Sequence, residues 1–169
     1  MERSNIVLIG MPGSGKSTVG VLLAKVLGYD FVDTDLVIQL REGRTLEKIL
    51  HDEGIDAFLD IEGEVCAALE AERTVIATGG SVIYREEAMR HLRESGLVVY
   101  LQVDLDVLTA RLSDLVERGV ALREGQTLSD LYAERIVQYE RWAEVTIREK
   151  NMTMEETLAA AAKAINEYK

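Results

Sequence analysis

One run near the start of the chain, Gly10-Met11-Pro12-Gly13-Ser14-Gly15-Lys16-Ser17, fits the spacing G-x-x-x-x-G-K-[ST]. It follows the apolar segment Asn5-Ile6-Val7-Leu8-Ile9, which reads as a strand buried on both faces, as in a parallel sheet. It precedes Lys16 to Leu27, where Val19, Leu22, Leu23 and Val26 recur at helical spacing until Gly28 stops the helix. Strand, glycine loop, helix is the context that turns the pattern into a phosphate-binding loop. The glycines let the backbone turn tightly and aim its N–H groups at phosphate oxygens. The helix that follows adds its positive end. Gly13, Ser14, Gly15, Lys16, Ser17 and Thr18 are therefore the expected nucleotide-binding set. Lys16 would neutralise the β- and γ-phosphates of ATP, and the Ser17 hydroxyl would ligate Mg²⁺. Pro12, the sole proline, stiffens the loop.

The loop specifies a nucleotide but not what is done with it, because kinases, GTPases and motor ATPases share it. At 169 residues the chain reads as one domain with a core of its own, too short for a motor's extra machinery. It contains no Asn-Lys-x-Asp guanine-reading motif. Its net charge of −11 argues against a partner that is a nucleic acid, while leaving room for a small cationic pocket. No apolar run approaches the ~18 residues of a membrane span, and no charged-then-apolar leader precedes the first strand. Cys66 sits among Val65, Ala67, Ala68 and Leu69 and reads as a buried thiol with no disulfide partner. A cytoplasmic monomer is the expectation. His51 and His91, far apart on expected surface helices, are assigned neither catalysis nor metal binding.

Further along, Phe31-Val32-Asp33, Thr74 to Ala77, Val98 to Leu101 and Val145 to Ile147 read as strands. Between them lie expected helices at Leu36–Leu40, Leu46–His51, Ile55–Glu70 and Glu86–Glu94, one carrying Leu105, Leu108 and Leu112, one reaching about Ala143, and a last Ala-rich one. Asp104 reads as a helix cap, and Thr127 with Asp130 and Thr153 with Glu156 read as capping boxes. Residues 113–126 lose apolar periodicity and hold two glycines, which reads as a mobile loop. Tyr132, Ile136, Tyr139 and Trp142 recur at helical spacing, so Tyr139 and Trp142 are expected in the core. Alternating strands and helices predict an α/β fold with a five-stranded parallel sheet flanked by helices.

Asp33-Thr34-Asp35 follows the second strand, at the carboxyl end where open α/β sheets bind ligands. One carboxylate there can serve Mg²⁺ and the other can orient an attacking hydroxyl. Helix capping by Asp35 explains the same residues equally well. The phosphate loop, Asp33-Thr34-Asp35, Arg41-Glu42-Gly43-Arg44-Thr45, Gly79-Gly80, and Arg135 with Tyr139 together stand in the order and spacing of shikimate kinases. The chain resembles that family over nearly its whole length. The resemblance implies a three-layer P-loop kinase fold with a closing lid at about 113–126 and acceptor-binding helices at about 35–70. It implies transfer of the γ-phosphoryl of MgATP to the 3-hydroxyl of shikimate. Asp33 would hold the Mg²⁺ shell with Ser17, and Asp35 would bind substrate hydroxyls as candidate base. Gly79 and Gly80 would line the substrate, Gly80 through its N–H. Arg135 would pair with the substrate carboxylate, a bidentate task suited to arginine, unless it is a surface ion pair. Arg111 would pack on adenine, unless it is a solvated helix charge. Arg118 would reach the phosphates from the lid, with Arg123 as substitute.

The sequence also departs from the family pattern. Where Phe-Arg is usual, and the arginine grips the substrate carboxylate, this chain has Phe58-Leu59. The glutamate normally held near that arginine persists as Glu62. Losing one charge-assisted contact costs about 1.5–3 kcal/mol. The usual triple glycine is Gly79-Gly80-Ser81, and the lid reads Arg118-Gly119-Val120 without Arg-Pro. Three outcomes fit these changes: shikimate is still the acceptor, with a cation such as Arg44 filling in; a different polyol or hydroxy acid is the acceptor; or nucleotide binds with little transfer. Another small P-loop kinase and a nucleotide-sensing module remain further alternatives.

Overall fold

The computed structural model describes residues 3–112 and 119–168. Strands β1 (Asn5–Ile9), β2 (Asp30–Asp33), β3 (Thr74–Ala77), β4 (Gly96–Gln102) and β5 (Val145–Arg148) form one sheet in the order β2-β3-β1-β4-β5. Every neighbouring pair is parallel, with Val7 of β1 level with Ile76 of β3 and Val98 of β4. A parallel sheet has helices on both faces, so its central strands must be apolar on both sides. The whole of β1 is buried, and its side chains alternate between two cores. Ile6 and Leu8 pack with Val19 and Leu23 of α1 (Lys16–Leu27) and Ala161 and Ile165 of α7 (Met154–Tyr168). Val7 and Ile9 pack on the other face. Their partners there are Cys66 of α3 (Leu46–Ala67), Met89 and Leu92 of α4 (Glu86–Ser95), Leu108 of α5 (Leu105–Arg111), and Tyr139 and Trp142 of α6 (Leu128–Trp142).

The helices of the acceptor side form a third, smaller cluster. Ile38 of α2 (Thr34–Glu42) packs there with Ile49, Phe58 and Leu59 of α3 and with Ala121. α3 breaks at Gly54, where φ is 84° and ψ 176°, so the two helices expected on either side of that glycine are both present. Gly28 and Gly43 end α1 and α2 in left-handed conformation, as their positions after the last apolar residues predicted. Cys66 is free and buried, and burial pushes its thiol up. His51 is exposed, and the His91 ring contacts the Leu69 carbonyl at 2.7 Å.

Three local expectations change. Asp33, not Asp35, caps α2: its carboxylate accepts the Asp35 N–H, and the helix begins at Thr34 rather than Leu36. Asp104 occupies the cap position of α5 but makes no side-chain capping bond. A short 3-10 turn, Val82–Tyr84, follows the glycines after β3 and carries no apolar period from which to read it.

The helix bearing Arg135 starts on a complete capping box. Thr127 Oγ1 accepts the Asp130 N–H at 3.1 Å and Asp130 Oδ2 accepts the Thr127 N–H at 3.0 Å. Thr127→Ala should therefore lower stability by about 1 kcal/mol in urea unfolding, whereas Thr127→Ser should change it by a few tenths at most.

Candidate active site

The phosphate loop leaves β1 at the centre of the sheet and enters α1 directly. Gly13 and Gly15 hold φ of 77° and 88°, a region that L side chains rarely adopt, so the chain can turn here without strain. Lys16 is only 7% exposed, and its ammonium curls back over the loop. It donates to the carbonyls of Gly10 and Met11, both at 2.8 Å, and to Ser14 Oγ at 3.4 Å. Burial lowers its pKa to about 8, against the pull of Asp35. Such an ammonium can exchange carbonyl oxygens for phosphate oxygens without first shedding a full hydration shell. Ser14 turns inward: its side chain is buried and its N–H donates to the Met11 carbonyl at 3.1 Å. Gly13, Gly15, Ser17 and Thr18 face the cavity. Arg111 bridges to the same loop, donating to the Gly13 carbonyl at 3.1 Å from an exposed position on the cavity rim.

At the foot of the loop, Ser17 Oγ donates to Asp33 Oδ2 at 2.6 Å while Asp33 Oδ1 accepts the Asp35 N–H at 3.0 Å. A hydroxyl and a carboxylate are hard oxygen donors, the type Mg²⁺ takes alongside water and phosphate oxygens. The donor set therefore fits that ion. Among the described residues no group of three or more His, Cys, Asp and Glu could hold a metal, so no all-protein cage is on offer. Asp35 is half-buried and lines the cavity. Desolvation and then Asp33 raise its carboxyl to about 6, with Lys16 opposing.

A cavity of about 550 Å³ joins this loop to the residues after β3. Lys16, Asp35, Glu62, Gly79, Gly80 and Arg135 all line it. A side chain at either glycine would force its neighbours to move. A Cβ on Gly79 would stand 2.1 Å from Glu62 Oε1 and 2.8 Å from Asp35 Oδ1; one on Gly80 would stand 2.9 Å from Arg135 Nη1. The Gly79 N–H already donates to Thr34 Oγ1 at 3.2 Å, so Gly79 supplies clearance rather than a donor. The Gly80 carbonyl accepts the Tyr139 hydroxyl at 2.6 Å. Tyr139 is thus in the core, stacked on Tyr100 at 5.1 Å, and also tied to the site. A buried tyrosine usually finds a partner for its hydroxyl, which is the signal that points beyond packing.

Arg135 is 1% exposed. It is no surface ion pair: Nη2 donates to the Ala121 carbonyl at 3.5 Å, the guanidinium lies 5.4 Å from the Tyr84 ring centroid, and Nε has no partner. Tyr84, which in turn bonds Glu134, had no signal in the sequence. Glu62 is likewise 1% exposed; Ser81 Oγ donates to its Oε2, and its Oε1 is unpartnered. Burial pushes Glu62 up to about 7, the Ser81 bond pulling the other way.

Other candidates lie elsewhere. Leu59 is 5% exposed and packs in the acceptor-side cluster, facing a second cavity of about 160 Å³ that shares Ala121 and Arg135 with the first. Arg44 does not line the main cavity; it pairs with Glu42 at 3.5 Å, Asp52 at 3.6 Å and Glu53. A guanidinium so engaged is a poor stand-in for a missing cation. Arg123 pairs with Asp56 at 3.2 Å on the second cavity. Arg118 lies outside the described residues, as does the first part of the expected lid, 113–118.

Burial raises the proton affinity of Glu62 above that in the unfolded chain, without abolishing its ionised form near neutral pH. Stability from this group is full below its ordinary value of 4.5 and is lost as pH rises through about 7. At pH 8, Glu62→Gln should be more stable than the parent by about 1–3 kcal/mol. That is about 2–4 °C in Tm per kcal/mol. The advantage should disappear below about pH 5, a crossover that thermal melts at both pH values would show.

Comparisons with known proteins identify the family. The family model described as shikimate kinase matches residues 12–166. A shikimate kinase of Thermodesulfovibrio yellowstonii is 38% identical over 167 residues, covering 97% of this chain and 94% of that protein. Among solved structures, shikimate kinase from Acinetobacter baumannii in complex with shikimate superposes with a TM-score of 0.88 at 30% identity, covering 99% of this chain and 96% of that one. The Aquifex aeolicus shikimate kinase gives 0.81 at 32% identity, with 97% of each chain covered. A family model that matches residues 12–166 and a relative 38% identical over 97% of the chain show the family: the chain belongs to the shikimate kinases.

Proposed function

We propose that this protein transfers the γ-phosphoryl group of ATP to the 3-hydroxyl of shikimate. The observation that carries the reading is the meeting of a buried lysine on a phosphate loop, a carboxylate and a buried arginine in one cavity. ATP would lay its β- and γ-phosphates on the loop from Gly13 to Thr18, with Lys16 exchanging the Gly10 and Met11 carbonyls for phosphate oxygens. Arg111 would cover the nucleotide from the rim. Ser17 and Asp33 would hold Mg²⁺, whose charge when bound offsets that of the transferring phosphoryl group. Asp35 would orient the acceptor hydroxyl and take its proton. Arg135, partnered only weakly by the protein, would bind the acceptor carboxylate. Residues 113–126 would close as a lid, with Arg118 approaching the phosphates and water excluded.

The proposal includes a cytoplasmic monomer acting on small molecules. Cys66 has no partner for a disulfide, and among the described residues no helix is long and apolar enough to cross a membrane. Leu59 favours one second reading, a relative acting on another polyol or hydroxy acid, because the carboxylate end then offers one arginine rather than two.

ADP release from MgATP across a wide shikimate range, beside shikimate-free and gluconate controls, tests both. Saturable turnover with shikimate is expected. Weak, non-saturating turnover that improves about tenfold or more in Leu59→Arg would transfer the assignment to a different acceptor. Asp35→Asn should lower kcat by about 10²–10⁴-fold and leave ATP affinity unchanged. A nucleotide-binding module with no transfer function would show no such separation.

A further inference from the structure

The two glycines after β3 divide the acceptor cavity by charge. Gly79 faces two carboxylate oxygens, Glu62 Oε1 and Asp35 Oδ1, which approach the same point above its Cα; its neighbour Gly80 faces the Arg135 guanidinium. The carboxylate end calls for hydroxyl donors and the guanidinium end for an anion. Asp35 already has a role. Glu62 does not, and among the described residues it is the buried charged side chain that the phosphoryl-transfer machinery leaves unused.

The state of Glu62 distinguishes it from a structural acid. One oxygen, Oε2, is held by the Ser81 hydroxyl, while the other, Oε1, is buried, without a partner, and lies on the cavity wall. A buried acceptor left unsatisfied carries a desolvation penalty, which a ligand hydroxyl would remove. The carboxyl cannot readily turn away, since Ser81 fixes one oxygen and the Gly79 backbone is in contact with the other.

We propose that Glu62 is a specificity-determining residue of the acceptor site: Oε1 takes a hydrogen bond from an acceptor hydroxyl next to the one held by Asp35, and Ser81 positions the carboxyl for that contact. The inference rests on the shikimate reading above and adds to it a selection for vicinal hydroxyls. A site built to bond a hydroxyl rejects the analogue that lacks it, because its own polar group is then left buried and unpaired.

The test compares kcat and KM for shikimate with those for two single-deoxy analogues, each keeping the 3-hydroxyl but lacking one of the other two. The parent should lose about ten- to a hundredfold in kcat/KM on one analogue. Glu62→Ala should bring shikimate down towards that analogue and erase the difference between them. Ser81→Ala should raise the shikimate KM several-fold with kcat little changed. Nucleotide affinity, measured alongside, should stay at the parent value in each variant. If Glu62→Ala does not fold, the isosteric Glu62→Gln carries the comparison and should narrow the discrimination at least threefold. A variant that slows all three acceptors by one common factor, or none of them, would overturn the assignment and leave Glu62 a structural acid. A parent that does not turn over shikimate at all would overturn the function, and this assignment with it.

Discussion

An ammonium taken out of water must be solvated by something else, and Lys16 is solvated by the loop that presents it. The carbonyls of Gly10 and Met11 point inward at Nζ. With them turned in, the loop can turn N–H groups outward, which is the polarity a phosphate needs. This arrangement depends on the position of β1. A central strand, buried on both faces and flanked by β3 and β4, anchors the loop that holds Lys16 at 7% exposure. The same end of the sheet then collects Asp33 and Asp35 after β2 and the two glycines after β3. Open parallel sheets place ligands at these carboxyl ends because the loops there are free of the hydrogen-bond ladder while the strands hold them rigid.

Charge concentrates at that end, where Lys16 and Arg135 share one cavity with Asp35 and Glu62. Asp35, Arg135 and Glu62 all act on Lys16, and Asp35, Arg135 and Lys16 all act on Glu62. Lys16 is lowered and both acids are raised, the direction that burial dictates for all three. Desolvation therefore outweighs the favourable pairing in the protein alone. A ligand that brings phosphates to Lys16 and a carboxylate to Arg135 supplies the missing counter-charges. Such sites hold their groups in a state that binding relieves.

Most of the fold was readable because its elements follow simple rules. β1 and β4 are continuous apolar runs, Gly28 and Gly43 end their helices in left-handed conformation, and both capping boxes form as spaced. Asp33 and Asp35 exchanged capping roles because either can cap from two residues' distance, and sequence spacing does not say which backbone turns first. The candidate site was readable where a single residue type has few uses, as with Lys16 and Ser17. It was unreadable where the role comes from a partner distant in sequence. Tyr139 meets Gly80, Tyr84 lies under Arg135, and Thr34 occupies the Gly79 N–H, pairings set by tertiary packing alone.

Leu59, Glu62 and Ser81 are best understood together. Leu59 offers no cation to Glu62, which lies three residues further along α3 and is 1% exposed. A buried carboxyl left with no donor would be driven out or replaced. Ser81, in place of a third glycine, supplies a donor to Oε2, and its φ of −98° is open to any residue, so the hydroxyl is gained without backbone strain. Leu59 meanwhile joins Ile38, Phe58 and Ala121 in an apolar cluster. The cavity thus presents one buried arginine, Arg135, and one fixed, partly unsatisfied glutamate, Glu62. With Glu62 in the role proposed above, selectivity would rest more on the acceptor's ring hydroxyls than on its acid group.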